Sequence, residues 1–344
     1  MNTLKSGGTG SSVPMRYFCT YFDQRYLPRG LAMYECLRRY CPQFKLWVLC
    51  LDAATHSYLA SIKRSDLESI PMEEFERADE LLKESRKNRS LLEYYFTCTP
   101  SLPLFIFEKN PVVELVTYLD ADLYFFSPLD SLFDEIAEYS IAIIPHRFPP
   151  SFRKAERHGI YNVGWVSFRR DSNGLACLQR WRTQCIERCV DSNDTTQFAD
   201  QRYLDDWPST FQNLVVLQHK GANLAAWNIA NYKITAQDGN IYVDDEPLLF
   251  FHFHGLRRLN RYVYDTCFQH YGAKLSPLVI HQIYQPYLRQ IGMLSNKQSP
   301  AVFLPPLARE SAPERSASFP VRAFDLLKHL LQRHYLFDVG GRVI

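Results

Sequence analysis

The sequence predicts an α/β chain: a mostly parallel sheet with helices on both faces, a small antiparallel extension, and a helical C-terminal extension. Three observations carry that expectation. Two apolar β-type runs, YFCTY from Tyr17 and FKLWVLCLD from Phe44, enclose an apolar-periodic helix through Leu31, Tyr34, Leu37 and Tyr40, the crossover unit of a parallel sheet. VVELVTYLDAD and SIAIIPH are further buried strands separated by a helix. From Tyr161 the texture changes to short strands mixed with loops: YNVGWVSFRR, LVVL, NIYVD and PLLFFHFH.

Element by element, Pro28 and Gly30 open the first helix and Pro42 stops it. Residues 53–110 read mostly as helix, a charged face at Glu73–Arg89 preceding an aromatic stretch, Tyr94–Phe107, punctuated by Pro100 and Pro103. SPLDSLFDEI reads as a helix with Ser127 as N-cap before Pro128. Asn173–Val190 reads as another helix, and the chain turns helical again beyond Asp265. Residues 295–320, with five prolines and many serines, read as a loose linker. A last helix, Arg322–Tyr335, places Phe324, Leu327, Leu331 and Tyr335 on one face. Docking against the chain's own domain or a partner subunit is expected of it ahead of peripheral contact with a membrane. The expected organisation is a disordered tail over 1–14, a main domain over 15–264, and an extension over 265–344. There is no internal repeat.

Composition narrows the function classes. The 344 residues are 46% apolar, and Lys+Arg 39 against Asp+Glu 37 leaves a formal net charge of +2 with no basic block and no acidic tail. Neither nucleic-acid binding nor intrinsic disorder is therefore expected. Apolar stretches such as Leu46–Leu51 fall far short of the roughly 18 residues of a membrane-spanning helix. The Gly/Ser-rich start lacks an apolar core, so no secretory signal is expected. Nine cysteines, none in a CxxC pair, read as reduced thiols. Cys177, Cys185 and Cys189 read as a buried helix face, because no fourth ligand follows at zinc spacing.

The sharpest chemical feature is Asp120-Ala-Asp122, leaving an apolar strand where open α/β sheets bind ligands. In extended chain this spacing turns both carboxylates to one face, a geometry for one hard divalent cation with positions left for phosphates. A solvated turn or a helix cap is the competing reading. The segment Phe251–Arg258 ends a strand-like run with His252, His254, Arg257 and Arg258. An imidazole can complete a carboxylate metal site, which then suits Mn²⁺ better than Mg²⁺, and an adjacent cation would neutralise a diphosphate. Ordinary strand histidines beside a basic turn are the alternative. Tyr161-Asn162-Val163-Gly164-Trp165 puts a polar side chain and a glycine at a strand mouth, where the glycine admits a ligand or marks a β-bulge. Asp200-Gln201 opens DQRYLDDW, where Asp also suits helix capping.

Taken together, Asp23-x-x-Tyr26, Asp120-Ala-Asp122, Asn162-x-Gly164, Asp200-Gln201, Trp227-Asn228 and His252-x-x-Gly255 resemble, in order and spacing, the family-8-type glycosyltransferases of GT-A fold. That group includes glycogenin and bacterial lipopolysaccharide galactosyl- and glucosyltransferases, and the likeness covers about residues 15–260. The resemblance implies a metal-dependent hexosyltransferase of glycan biosynthesis. Such an enzyme moves a sugar from a nucleotide diphosphate donor, usually a UDP-sugar, to a glycan or lipid-linked acceptor with retention. By position it makes Asp120, Asp122 and His252 the ligands of Mn²⁺ or Mg²⁺, and it puts Asp23 and Tyr26 on the uracil and ribose. Asp200 would hold sugar hydroxyls, Gln201 would face the anomeric carbon, and Asn162 would stand beside the donor sugar. Gly164 and Arg258 are expected on the donor side, Arg258 as partner of the diphosphate.

The sequence departs from that family in three places. Arg258 stands where the family has Lys before Pro-Trp, and Arg25 where it usually has Asn. An arginine common on the helix before the Asp-x-Asp strand has no counterpart in YYFTCTPSLP. A divergent bacterial branch, acting in the cytoplasm or at the inner face of its membrane, is therefore expected. The competing classes are a non-catalytic sugar-nucleotide or glycan-binding protein and a haloacid-dehalogenase-type phosphatase. The phosphatase motif wants Thr where Tyr124 stands.

Overall fold

The computed structural model describes residues 14–191, 198–260, 262–297, 335–339 and 342–343. The first elements are β1 (Arg16–Phe22), α1 (Leu27–Tyr40), β2 (Phe44–Cys50), α2 (Ala53–Ile62), β3 (Leu67–Pro71), α3 (Met72–Ala78), α4 (Glu80–Ser85), α5 (Leu91–Lys109) and β4 (Leu115–Leu119). They are followed by β5 (Leu123–Phe125), α6 (Asp130–Ile136), β6 (Ile141–Pro145), β7 (Tyr161–Arg169), α7 (Ser172–Glu187), α8 (Trp207–Thr210) and β8 (Leu214–Val216). Seven strands make one sheet in the order β3-β2-β1-β4-β7-β6-β8. In it β7 runs antiparallel to both neighbours, and every other adjacent pair is parallel. The chain thus adopts the expected α/β class with a mostly parallel sheet.

The strands sort their side chains with a period of two. Phe18, Phe22, Leu46, Val48, Ala142 and Ile144 enter one apolar layer with Leu31 and Leu37 of α1 and Phe133 of α6. Cys19, Trp47, Leu49, Ile141 and Ile143 enter the other with Leu102 and Ile106 of α5 and Trp181 of α7. A sheet covered on both faces explains why its strands read as nearly continuous apolar runs.

The second half adds β9 (Leu224–Ala225), β10 (Ile234–Gln237), β11 (Asn240–Val243), β12 (Glu246–Pro247) and β13 (Phe250–His252). β10, β11 and β12 form an antiparallel ribbon. β13 lies between β5 and β9, with His252 opposite Leu123 on one side and Ala225 on the other. The residue after Asp122 is therefore in register with His252, and strand pairing brings the imidazole to the carboxylates. The chain ends with β14 (Arg257–Arg258), β15 (Val263–Asp265), α9 (Gln285–Lys297), β16 (Tyr335–Val339) and β17 (Arg342–Val343). β14 to β17 make a four-stranded antiparallel sheet that buries Leu336.

Several local expectations are corrected. β3 interrupts the stretch expected to be mostly helix; it is a short edge strand that buries Leu67 and Ile70 and exposes Glu68. α5, by contrast, keeps the expected helix: it runs through Pro100 and Pro103 because its Thr97–Phe107 stretch is largely buried, and a Ser90–Glu93 capping box closes its start. Ser127 is not an N-cap: α6 begins after Leu129, with no side chain capping it. α9 continues to Lys297, past the expected linker start at Ser295. Tyr335 opens a strand, not the end of a helix. Residues 1–13 of the expected tail, the expected linker from 298, and residues 322–334 of the expected last helix lie outside the described residues. All nine cysteines are buried, and none is joined in a disulfide. Among the described residues no helix is long and apolar enough to cross a membrane.

Candidate active site

Asp120 and Asp122 lie in the turn from β4 to β5, not in extended strand, and backbone bonds fix that turn. Asp120 N donates to Gly164 O at 3.2 Å, Leu123 N to Asp120 O at 3.3 Å, and Phe253 N to Asp122 O at 3.0 Å. His252 Nε2 consequently lies 3.1 Å from Asp122 Oδ1 and 3.5 Å from Asp120 Oδ2. One ligand atom from each of the three lies within 4.8 Å of the others, a span one divalent cation can bridge with two oxygens and a nitrogen. Tyr118 Oη donates to Asp120 Oδ1 at 3.1 Å and aims that carboxylate.

The electrostatics of the cluster favour a cation. Burial pushes the Asp120 carboxyl up to about 6, His252 drawing it down and Asp122 adding to the rise. At Asp122 burial acts the same way, but His252, Arg29 and His254 outweigh it and hold this carboxyl well below its usual range. Burial would lower His252, yet Asp122 and Asp120 outweigh that and raise it. A divalent cation among the three would supply the positive charge that the two buried carboxylates draw toward His252.

A second tier surrounds the cluster. Asn162 is buried, with Oδ1 accepting from Gly164 N at 3.1 Å and facing His252 Nδ1 at 3.2 Å. Its Nδ2 faces His146 Nε2 at 3.3 Å and donates to Gln201 Oε1 at 3.2 Å, while Gln201 Nε2 donates to His158 O at 2.9 Å. Burial drives His146 down to about 3, so its ring is neutral. Gly164 leaves space for the protein's own side chains rather than only for a ligand. A Cβ there would sit 2.5 Å from Asn162 Oδ1 and 2.9 Å from His252 Nδ1. The bulge reading is also met nearby, where β6 and β7 shift register between Ile143 and Ile144. Asp200 is buried and caps no helix with its side chain. Burial pushes its carboxyl up to about 7, Thr99 drawing it down and Asp120 raising it.

Of the remaining expected residues, Asp23 closes a turn. Its Oδ1 accepts from Arg25 N at 3.0 Å and Tyr26 N at 3.1 Å, and its Oδ2 accepts from Arg25 Nε at 2.8 Å. Tyr26 lies under the Arg29 guanidinium, 4.8 Å from ring centroid to Cζ. Arg258 stands on β14, donating to Asn260 O at 3.1 Å and lying over Tyr264. Sequence reasoning missed Arg29, a buried cation on α1 that acts electrostatically on Asp122. It also missed Tyr118, Thr99, His146 and Asn223. An arginine two residues into an otherwise apolar helix start was the available signal for the first.

No protein-family model matches the chain. Two Bacillus subtilis (strain 168) proteins are similar to it over most of their length. Uncharacterized protein YfnD is 32% identical over 275 residues, 79% of this chain and 87% of that protein. Uncharacterized protein YfnF is 29% identical over 282 residues, 80% of this chain and 92% of that protein. Among solved structures, apo mouse xyloside xylosyltransferase 1 has a TM-score of 0.46 at 10% identity, covering 70% of this chain and 98% of its own. Galactosyltransferase LgtC, in complex with donor and acceptor sugar analogues, has a TM-score of 0.45 at 14% identity, covering 70% and 87%. With about a third of positions identical to YfnD over four-fifths of its residues, the chain belongs to the family of that Bacillus protein.

Proposed function

We propose that this chain is a metal-dependent glycosyltransferase of GT-A type, moving a sugar from a nucleotide diphosphate donor, a UDP-sugar, with retention, to a glycan or lipid-linked acceptor. The observation that carries the reading is the convergence of Asp120, Asp122 and His252 at the C-terminal end of β4, from two segments 130 residues apart. The six ordered motifs shared with the family-8-type enzymes support it.

Mn²⁺ or Mg²⁺ held by Asp120, Asp122 and His252 would supply Lewis acidity to a departing diphosphate. The chain's own residues do the rest. Arg29 adds positive charge beside Asp122, and Arg258 is assigned to the diphosphate. Asn162 ties the metal cluster to Gln201, so the carboxamide expected at the anomeric carbon is oriented by the same side chain that orients His252. Asp200, its carboxyl pushed up to about 7 by burial, suits hydrogen bonding to sugar hydroxyls as acceptor or donor. Asp23 and Tyr26 form the turn assigned to the nucleoside, and the reaction is assigned to the cytoplasm.

The test is release of nucleoside diphosphate from a panel of sugar nucleotides, with Mn²⁺, with Ca²⁺ and with EDTA. Release that needs Mn²⁺, falls with Ca²⁺ and stops with EDTA supports the reading. Metal-independent release contradicts it.

A further inference from the structure

We propose that Asn223 is a positioning residue for the metal cluster: with Asn162 it forms a pair of carbonyl acceptors that hold His252 by Nδ1 and present Nε2 to Asp120 and Asp122. This inference rests on the metal-site reading above. Asn223 is fully buried and adopts a left-handed backbone, φ 59°, which Asn tolerates better than most residues. It immediately precedes β9, the strand that pairs with His252 through Ala225. Its turn is closed by Asn228, whose Nδ2 donates to Asn223 O and whose Oδ1 accepts from Ala225 N, both at 2.9 Å.

The orientations of both amides are set by third parties. Asn223 Nδ2 donates to Pro145 O at 3.4 Å, which turns Oδ1 toward His252 Nδ1, also at 3.4 Å. At Asn162 the Gly164 N–H claims Oδ1, so the same oxygen is the one 3.2 Å from His252 Nδ1. Two oxygens from different segments therefore share one imidazole N–H, a three-centre bond. The opposite ring nitrogen then points at the two carboxylates. Trp227 packs edge-to-face on the ring, 5.0 Å between centroids, and limits its rotation. Outer partners of this kind fix the ring of a ligating histidine, and losing one weakens metal binding by about 10- to 100-fold.

Asn223 also braces a turn, and two variants separate the roles. Asn223→Gly keeps the left-handed backbone and removes the amide. Asn223→Asp keeps an acceptor oxygen for His252 and loses the donor to Pro145. Mn²⁺ titration calorimetry on the full chain is expected to show about tenfold weaker binding for Asn223→Gly, the low end of that range, and near wild-type binding for Asn223→Asp. Pulsed electron paramagnetic resonance of the Mn²⁺-loaded proteins should show an altered remote-nitrogen quadrupole signal only in the glycine variant. Should the glycine variant fail to fold, Asn223→Ser, too short to reach His252, takes its place. Wild-type affinity in the glycine variant, or equal losses in both variants with an unchanged nitrogen signal, overturns the inference alone. A wild-type protein that binds no Mn²⁺ overturns the metal-site reading, and this inference with it.

Discussion

Gly164→Ala isolates the steric demand at the heart of the site. The backbone at 164 lies outside the left-handed region, so alanine adds one methyl group and no conformational strain. That methyl would stand 2.5 Å from Asn162 Oδ1 and 2.9 Å from both Cε1 and Nδ1 of His252. Ordinary contact begins near 3.4 Å, so the amide must retreat by about 0.9 Å and the imidazole by about 0.5 Å. Neither yields easily: Asn162 is tied to His146 and Gln201, and His252 to the two carboxylates. Overpacking of this size costs about 1–3 kcal/mol of stability. The displaced imidazole and amide should weaken Mn²⁺ binding about 10- to 100-fold and slow turnover about 100-fold. The assays are calorimetric titration with Mn²⁺ and thermal unfolding without metal. Gly174→Ala is the control: its Cβ would meet the Arg169 carbonyl at the start of α7, so it should lower stability and leave Mn²⁺ affinity unchanged. If Gly164→Ala binds Mn²⁺ and turns over within twofold of wild type, the geometry described for Asn162 and His252 is wrong.

Other expectations follow from the same geometry. His252→Ala should abolish Mn²⁺-dependent nucleotide binding, whereas His254→Ala, which removes an exposed ring 5.8 Å from His252, should retain it within about tenfold in calorimetry. Leu336→Ala should cost about 2–5 kcal/mol in chemical denaturation, because this side chain is fully buried, while Mn²⁺ affinity stays unchanged; an unchanged midpoint would show that β16 does not dock on the core. Burial disfavours charge on Asp79, but the Arg182 guanidinium, 2.7 Å from Nε to Oδ2, and the Leu82 N–H outweigh it and depress its pKa. A depressed carboxyl stabilises the fold above the unfolded-state value near 3.9, and that contribution is lost as pH falls through the folded value. Asp79→Asn should therefore lower the melting temperature at pH 7, and the gap to wild type should close below about pH 4; a gap that does not depend on pH would contradict the ion-pair reading.

Much of this was legible in the sequence where one residue pattern decides one outcome. Doubly covered strands show as apolar runs, so β1, β2, β4 and β6 were placed, and Asp120 and Asp122 with them at the end of a strand. β3 was not legible: its pattern of two buried positions among LESIP is too short to separate from the flanking helices. The helix through Tyr94–Phe107 was legible in spite of its two prolines, and burial against α7 and the sheet is what lets it run on. Ser127 had the chemistry of a cap but stands three residues before the helix begins. The second tier of the site was hidden for the same reason. His252 meets Asn162 across 90 positions and Asn223 across 29, and no spacing rule connects them. Gly164 was singled out as a place where a ligand could approach, and the groups that crowd it are the side chains of Asn162 and His252.

The central claim is that Asp120, Asp122 and His252 hold a divalent cation that serves transfer from a nucleotide sugar. It is tested most directly by following nucleoside diphosphate and inorganic phosphate release from a sugar-nucleotide panel, in wild type and in Asp122→Asn, with Mn²⁺ titrated in. The account predicts slow Mn²⁺-dependent release of nucleoside diphosphate from at least one donor by wild type. It also predicts release lowered at least 100-fold in a variant that melts like wild type without metal, since Asn keeps the shape of a buried Asp and removes a ligand charge. Release of inorganic phosphate, or full activity in Asp122→Asn, would contradict it.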